Sequence, residues 1–155
     1  MKREEISIVF LGADHAGFVL KSYVKKYLQN RKIKYLDFSS EFKEGDDYPD
    51  VAFKVAEKVA RFKNSRGVLL CGTGTGMAIA ANKVRGIRAV DASDVIGAKL
   101  SREHNNTNIL TLGAWLEGQH KLREILSVWL NTSFSGEIRH KRRLAKIAKY
   151  ENGRK

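Results

Sequence analysis

The stretch Gly67–Gly76, which reads G-V-L-L-C-G-T-G-T-G, decides the fold that this sequence predicts. Residues 68–70 are apolar throughout, and such a run is typical of a strand buried on both faces of a parallel sheet. The run ends at Cys71, the only cysteine among the 155 residues. Glycines follow at every second position, and the small, apolar residues 77–83 predict a helix immediately after them. A strand, a glycine loop and a helix therefore follow one another here.

This arrangement predicts a binding site for an anion. Glycines let the backbone approach a ligand closely, and the first N–H groups of a helix lack partners within the helix. The same amides would favour the thiolate form of a cysteine placed at position 71.

Three other interpretations of the loop fit the residues to different degrees. A dinucleotide-binding fingerprint, G-x-G-x-x-G, needs a glycine where Met77 stands, although Asp91 and Asp94 lie roughly where a ribose-binding acid would fall. A Walker A loop is excluded because no G-K-[ST] closes it. A structural turn around a buried, inert cysteine stays open, since buried structural cysteines are common.

The composition predicts one domain, residues 1–155, with a strong positive charge. Lys and Arg number 29 against 17 Asp and Glu, so the net charge is +12, which suits nucleic acid, an anionic surface or a small anionic substrate. One cysteine excludes an intrachain disulfide and fits a reducing cytosol, so we expect a cytoplasmic protein. No apolar run approaches membrane-spanning length, and we expect no membrane association.

A basic nucleic-acid-binding protein is the rival class. The chain lacks an RNP pattern, a zinc finger and a clear recognition helix, so we do not expect nucleic acid as a partner.

Strand and helix patterns alternate along the chain. Predicted strands span residues 6–11, 33–38, 68–71, 86–90 and 108–112. Predicted helices span residues 18–31, 50–62, 77–83, 93–102, 116–130 and 137–150, and Ser93 is predicted to cap the fourth. The alternation predicts an α/β fold with a doubly wound parallel sheet, whose ligands bind at the carboxyl ends of the strands.

Two predicted loops at such strand ends carry unusual chemistry. Asp14 and His15 follow the first strand, and Cys71 and its glycines follow the third. If these strands are neighbours, a carboxylate, an imidazole, a thiol and a row of amides converge on one crevice. Such a set is suited to proton transfer on an anionic substrate.

The chain resembles the ribose-5-phosphate isomerase B family, which also includes allose-6-phosphate and galactose-6-phosphate isomerase subunits. The motifs that carry the resemblance are GADHAG (12–17), DYP (47–49), CGTGTG (71–76), AANK (80–83), GIRA (86–89), HNNTN (104–108) and RHKRR (139–143). The resemblance implies a three-layer α/β/α sandwich with a five-stranded parallel Rossmann-like sheet, strands 1 and 3 adjacent, and an extra C-terminal helix. It also implies aldose–ketose isomerisation of a sugar phosphate without a metal or organic cofactor, in sites shared across a homodimer; a dimer of dimers stays open.

The same resemblance implies the site residues. Cys71 matches the catalytic base, Thr73 can shuttle a proton, and His104 matches the acid/base that opens the sugar ring. Substrate contacts are expected from Asp14, His15, Tyr48, Gly72, Gly74, Thr75, Gly76, Asn105, Arg139 and Arg143. Three alternatives stay open: Tyr48 packs in the core, Thr75 only fills the turn, and the two arginines belong to a solvated basic tail.

Two further expectations concern geometry and substrate. His104 and Asn105 fall at the amino ends of the predicted strands, so we expect them to serve the partner's Cys71. Where the family usually has an arginine after strand 5, this chain has Trp115. Either phosphate affinity is weaker, Arg88 or Lys83 compensates, or the sugar differs. Ribose 5-phosphate and ribulose 5-phosphate are the expected pair, with allose 6-phosphate and galactose 6-phosphate as alternatives.

Overall fold

The fold is a five-stranded parallel sheet between helices. The computed structural model describes residues 5–116 and 118–153. Its strands are β1 (Ile8–Ala13), β2 (Tyr35–Asp37), β3 (Ser65–Cys71), β4 (Ala89–Asp91) and β5 (Ile109–Gly113). Its helices are α1 (Phe18–Asn30), α2 (Tyr48–Arg61), α3 (Thr75–Ala81), α4 (Val95–Asn105), α5 (Gln119–Asn131) and α6 (Ile138–Gly153).

The strand order is β2-β1-β3-β5-β4, and every pair is parallel. The predicted α/β class and the adjacency of β1 and β3 are thus confirmed. Within the described ranges, no helix combines the length and the apolar character that crossing a bilayer requires.

Alternate side chains of the central strands enter two separate cores, which confirms the three-layer sandwich. Val68 and Leu70 belong to a cluster with α1 and α5, whereas Leu69 and Cys71 belong to a cluster with α2 and α3. All of these strand side chains are buried, because both faces of the sheet are covered. Burial on both faces explains why residues 68–71 of β3 form an unbroken apolar run in the sequence.

The fourth strand and the fourth helix begin later than predicted. Gly86 has φ +80°, a left-handed conformation that ends the preceding turn, and pairing with β5 begins only at Ala89. Ser93 is not the helix cap. The Asp94 side chain accepts a hydrogen bond from the Gly97 amide at 2.7 Å, so Asp94 is the N-cap, and the carboxylate satisfies an otherwise unpaired N–H group.

A buried ion pair ties α1 to the ends of β1 and β2. The Lys21 ammonium donates to Asp37 at 2.9 Å, to the Ser39 hydroxyl at 2.8 Å and to the Ser39 carbonyl. The Ser39 hydroxyl in turn accepts from the Ala13 amide at 2.8 Å. The Lys21 and Asp37 side chains are only 3% and 8% exposed. Lys25 contacts the same carboxylate at 3.2 Å but is 35% exposed.

Replacing Lys21 by Met should lower the free energy of unfolding by about 3 kcal/mol, because it leaves a buried carboxylate short of a partner. Lys25→Met is the matched control: it removes a more exposed amine from the same carboxylate and should cost less than about 1 kcal/mol. Urea unfolding measures both values. Equal losses in the two variants would contradict this account.

Candidate active site

The loops after β1 and β3 lie against each other at the carboxyl edge of the sheet. Ala13 pairs with Leu70 in the strand register, so Asp14 and Cys71 are the next residues on neighbouring strands. The Asp14 amide donates to the Leu70 carbonyl at 3.2 Å. Gly17 packs on the same carbonyl so closely that a Cβ would overlap it. The predicted convergence of the two loops is therefore present.

Cys71 lies at the base of this crevice and is 5% exposed. Its Sγ accepts a hydrogen bond from the Gly74 amide at 3.1 Å, because the glycine loop folds back over the sulfur. Gly74 has φ +84°, a conformation that side-chain-bearing residues rarely adopt. Asp91 closes the other side of the loop and accepts from the Thr75 hydroxyl at 2.7 Å. This bond favours a turn-holding role for that hydroxyl, whereas the Thr73 side chain is exposed.

Asp14 and His15 are held by different partners. The Asp14 carboxylate is buried and accepts from the Gly17 amide at 2.9 Å. Burial raises the pKa of Asp14 above its ordinary value, although this hydrogen bond and the nearby His15 oppose the shift. Asp46 accepts from the His15 backbone amide at 2.8 Å, and the His15 Nδ1 lies 3.1 Å from the same oxygen. Asp46 thus fixes the imidazole at the mouth of the crevice.

Two aromatic rings contact the first and last glycines of the loop. A Cβ at Gly72 would lie 2.6 Å from the six-membered ring of Trp115, and a Cβ at Gly76 would lie 2.8 Å from the Tyr48 ring. Tyr48 is 39% exposed, so the structure places it beside the loop rather than in the core. Both glycines are needed for these close contacts.

A second group of predicted residues lies at the junction of α4 and α6. The His104 ring is 4.3 Å from the buried His140 ring, and His140 Nδ1 lies 2.9 Å from the Ser135 hydroxyl. Burial, together with the neighbouring His104, lowers the pKa of His140 below its ordinary value, which favours the neutral imidazole. Asn105 is exposed at the end of α4. Arg139 and Arg143 are exposed on α6, and Arg139 Nε lies 2.8 Å from the Glu137 carboxylate.

Buried Arg102 fixes the turn that follows His104 and Asn105. Its guanidinium donates to the Asn106 side chain at 2.8 Å, to the Thr107 carbonyl at 2.5 Å and to the Thr132 carbonyl at 3.1 Å. Asn106 has φ +46°, the left-handed conformation that commonly ends a helix. Arg88, proposed above as a compensating cation, donates to the carbonyls of this turn, at Asn105 and Asn106.

Within one chain, the residues of the glycine loop lie at the carboxyl ends of the strands, and the residues at the α4–α6 junction lie at the amino ends. Cys71 pairs with Gly113 at the end of β5, whereas His104 and Asn105 precede Ile109 at its beginning. The five residues of β5 correspond to a separation of about 13 Å along the strand. One chain therefore brings together the loop residues and Tyr48, but not His104, Asn105 or the two arginines with Cys71.

The comparisons with known proteins decide the family. The model of the Ribose/Galactose Isomerase family matches residues 9–147. The chain belongs to this family. It is 40% identical to ribose-5-phosphate isomerase B of Escherichia coli, with 94% of this chain and 97% of that protein covered. It is 41% identical to a D-erythrulose-4-phosphate isomerase of Pectobacterium atrosepticum, over 83% and 85% of the two chains.

Solved structures of the Ribose/Galactose Isomerase family have the same fold. The crystal structure of ribose-5-phosphate isomerase B from Mycoplasma genitalium with bound ribulose-5-phosphate matches with a TM-score of 0.91 at 36% identity, covering 96% of this chain and 99% of that one. The resemblance to the ribose-5-phosphate isomerase B group is thereby confirmed, and the protein is a sugar-phosphate isomerase of this family. Among residues 5–116 and 118–153, no cluster of three or more His, Cys, Asp or Glu could hold a metal ion.

Sequence reasoning missed the partners that orient several of the predicted site residues. They are Asp46 on His15, Asp91 on Thr75, Arg102 behind the α4 turn and His140 under His104. The sequence pattern indicated Asp91 only as a residue that lies roughly where a ribose-binding acid would fall. In the sequence, His140 is simply the histidine that follows Arg139, and this position does not indicate that its side chain is buried.

Replacing Gly74 by Ala should lower the free energy of unfolding by about 2 kcal/mol, because the backbone there has φ +84° and a Cβ would lie 2.5 Å from the Asp91 carboxylate. Gly97→Ala is the control, since a Cβ there would meet nothing closer than 3.5 Å; it should be neutral or stabilising by up to about 1 kcal/mol. Thermal or urea unfolding measures both. A Gly74→Ala protein as stable as the Gly97→Ala protein would show that the loop is not constrained as described.

Proposed function

We propose that this isomerase interconverts ribose 5-phosphate and ribulose 5-phosphate through an enediolate, with Cys71 as the base. The observation that carries the proposal is the position of the Cys71 sulfur, which accepts a hydrogen bond from the Gly74 amide of the glycine loop and lies level with Asp14. The thiolate takes the proton from C2 of the open-chain aldose, and the carbonyl electrons move onto O1. Return of the proton at C1, with the carbonyl re-forming at C2, gives the ketose.

The remaining groups have separate roles in this scheme. Amides of residues 72–76 donate to the enediolate oxygens, which carry the charge that develops in the reaction. The Thr73 hydroxyl shuttles a proton between the oxygens, and Asp14 and His15 orient substrate hydroxyls. Arg139 and Arg143 are one helical turn apart, so both guanidinium groups can bind one phosphate. His104 opens the furanose ring and Asn105 binds a hydroxyl.

The separation of the two groups of residues supports a site shared between two copies of the chain. Cys71 lies at the carboxyl edge of the sheet, and His104 and the arginines lie at the other edge. A homodimer in which one copy presents its α4–α6 junction to the other copy's glycine loop completes both sites at once, as two-fold symmetry requires. The lone cysteine, which needs no oxidising compartment, leads us to place this dimer in the cytoplasm.

The relatives differ in the sugar phosphate that their names give. One relative acts on ribose 5-phosphate and another is a D-erythrulose-4-phosphate isomerase, at nearly equal identity. Allose 6-phosphate and galactose 6-phosphate are the six-carbon alternatives within the same reaction class. An assay with four-, five- and six-carbon sugar phosphates ranks them by kcat/KM.

Replacing Cys71 by Ala should reduce kcat for ribose 5-phosphate by about 10³-fold or more, because it removes the general base. Exchange of the C2 proton with solvent should fall in parallel, and both are measured by NMR in deuterated buffer. Thr75→Ser is the control within the same loop, since it keeps the hydroxyl that binds Asp91, and it should retain activity. Undiminished proton exchange in a folded Cys71→Ala protein would overturn the role of the sulfur.

Mixing two inactive variants tests the shared site. Cys71→Ala and His104→Asn proteins are each expected to be inactive, whereas a mixed dimer has one site with both groups intact. After subunit exchange by mild urea and refolding, activity should return to about a quarter of the wild-type value, because half of the dimers are mixed and each has one working site. No recovery, with subunit exchange verified by mass spectrometry, would place both groups in one chain.

A further inference from the structure

Lys21 is a buried charged side chain that the proposed reaction does not use. It is 3% exposed and is paired with Asp37, which is 8% exposed. Burial lowers the pKa of Lys21 below its ordinary value, although the hydrogen bond to Asp37 opposes this shift. Well-packed apolar side chains commonly stabilise a protein as well as a buried ion pair does, so packing alone does not explain a lysine at this position.

The contacts of Lys21 lead to loop 38–47, which connects β2 with α2. At the start of this loop, the Lys21 ammonium donates to the Ser39 hydroxyl at 2.8 Å and to the Ser39 carbonyl. The same hydroxyl accepts from the Ala13 amide at 2.8 Å, two residues beyond the point where β1 stops pairing with β2. Lys21 and Ser39 therefore fix the start of the loop to α1 and β1.

The middle of loop 38–47 is held through Phe18, the first residue of α1. The Lys21 ammonium lies 4.6 Å from the centre of the Phe18 ring. The Phe42 ring of the loop packs edge-on against the Phe18 ring, with the two ring centroids 5.6 Å apart, which is a favourable aromatic arrangement. Lys21 thus holds the loop directly at Ser39 and, through one ring, at Phe42.

The end of loop 38–47 returns to the candidate active site. Asp46 accepts from the His15 amide at 2.8 Å, and His15 Nδ1 lies 3.1 Å from the same oxygen. The His15 side chain is 42% exposed, so close packing does not fix the ring and its orientation depends on Asp46. A shift of the loop would therefore turn or move the imidazole.

We propose that Lys21 is a positioning residue of the active site, which holds loop 38–47 so that Asp46 presents the His15 imidazole to the substrate. Lys21 acts through the loop and does not contact the substrate. This inference rests on the proposed function, in which His15 orients a substrate hydroxyl, and extends it to the group that keeps His15 in place.

The first test is kinetic. Lys21→Met should raise KM for ribose 5-phosphate about 5-fold and change kcat less than about 2-fold, because the bound substrate and the transition state both use the contact with His15. Lys25→Met is the matched control, since Lys25 brings the same charge to Asp37 from a position that is 35% exposed, and it should leave KM unchanged. Both variants are assayed at a temperature at which circular dichroism shows them folded.

Ser39→Ala tests the same route without breaking the ion pair, and it serves where Lys21→Met does not fold. It should raise KM about 3-fold, whereas Ser39→Thr, which keeps the hydroxyl, should restore the wild-type KM. Ser40→Ala changes the exposed neighbour and should behave as wild type. In a His15→Ala background, Ser39→Ala should raise KM no further, because its effect passes through the imidazole.

The second test observes the imidazole itself. The ¹⁵N chemical shift of His15 Nδ1 reports its hydrogen bond to Asp46. In the Lys21→Met and Ser39→Ala proteins this signal should move toward its position in an Asp46→Ala protein, and in Ser40→Ala it should stay in place. A purely structural role of Lys21 and Ser39 would lower the free energy of unfolding without moving the signal.

The outcomes separate this inference from the proposed function. An unchanged His15 signal in folded Lys21→Met and Ser39→Ala proteins overturns the inference alone, whatever their KM. An equal rise of KM in Lys25→Met assigns the effect to the lost charge, and it also overturns the inference alone. No turnover of any sugar phosphate by folded wild-type protein overturns the proposed function and, with it, the role of Lys21 in substrate binding.

Discussion

The close pairing of β1 with β3 is the constraint on which the candidate site depends. Because Ala13 and Leu70 are opposite each other, the next residues, Asp14 and Cys71, leave the sheet at the same level on strands about 4.8 Å apart. The loop after β1 can turn back over Leu70 only because Gly17 has no side chain. An acid and a thiol therefore share one crevice as a direct result of strand register, before any helix contributes.

The same parallel topology separates the other predicted site residues from Cys71. Every helix-to-strand connection in such a sheet delivers its residues to the amino edge, so His104 and Asn105 cannot reach the carboxyl edge of their own chain. The acidic side chains Asp14, Asp46 and Asp91 lie on the thiol side, and the exposed arginines lie on α6. This separation is the basis of the proposed site shared between two copies of the chain.

Local patterns were sufficient for the number and order of the strands and for the glycine loop, because each is encoded in one short segment of sequence, although β4 begins later than its pattern predicts. The hydrogen-bonding partners of the site were not predictable in this way. Asp46 is 31 residues from His15, and Asp91 is 16 residues from Thr75, so only the folded chain brings them together. Ser93 and Asp94 are both good capping residues, and the choice between them depends on how the chain leaves β4.

Helix α6 carries the two arginines proposed to bind phosphate and a set of exposed apolar side chains. Its only fully buried side chain is His140, and its far end is held by Glu151, which accepts from the Gly86 amide at 3.2 Å. Ile138, Ile147 and Tyr150 remain exposed along its length. Apolar packing supplies most of the stability of a helix, so α6 needs further cover for these side chains. In the proposed dimer the second copy would supply this cover, and Arg139 and Arg143, on the same helix, would then lie beside the other copy's glycine loop.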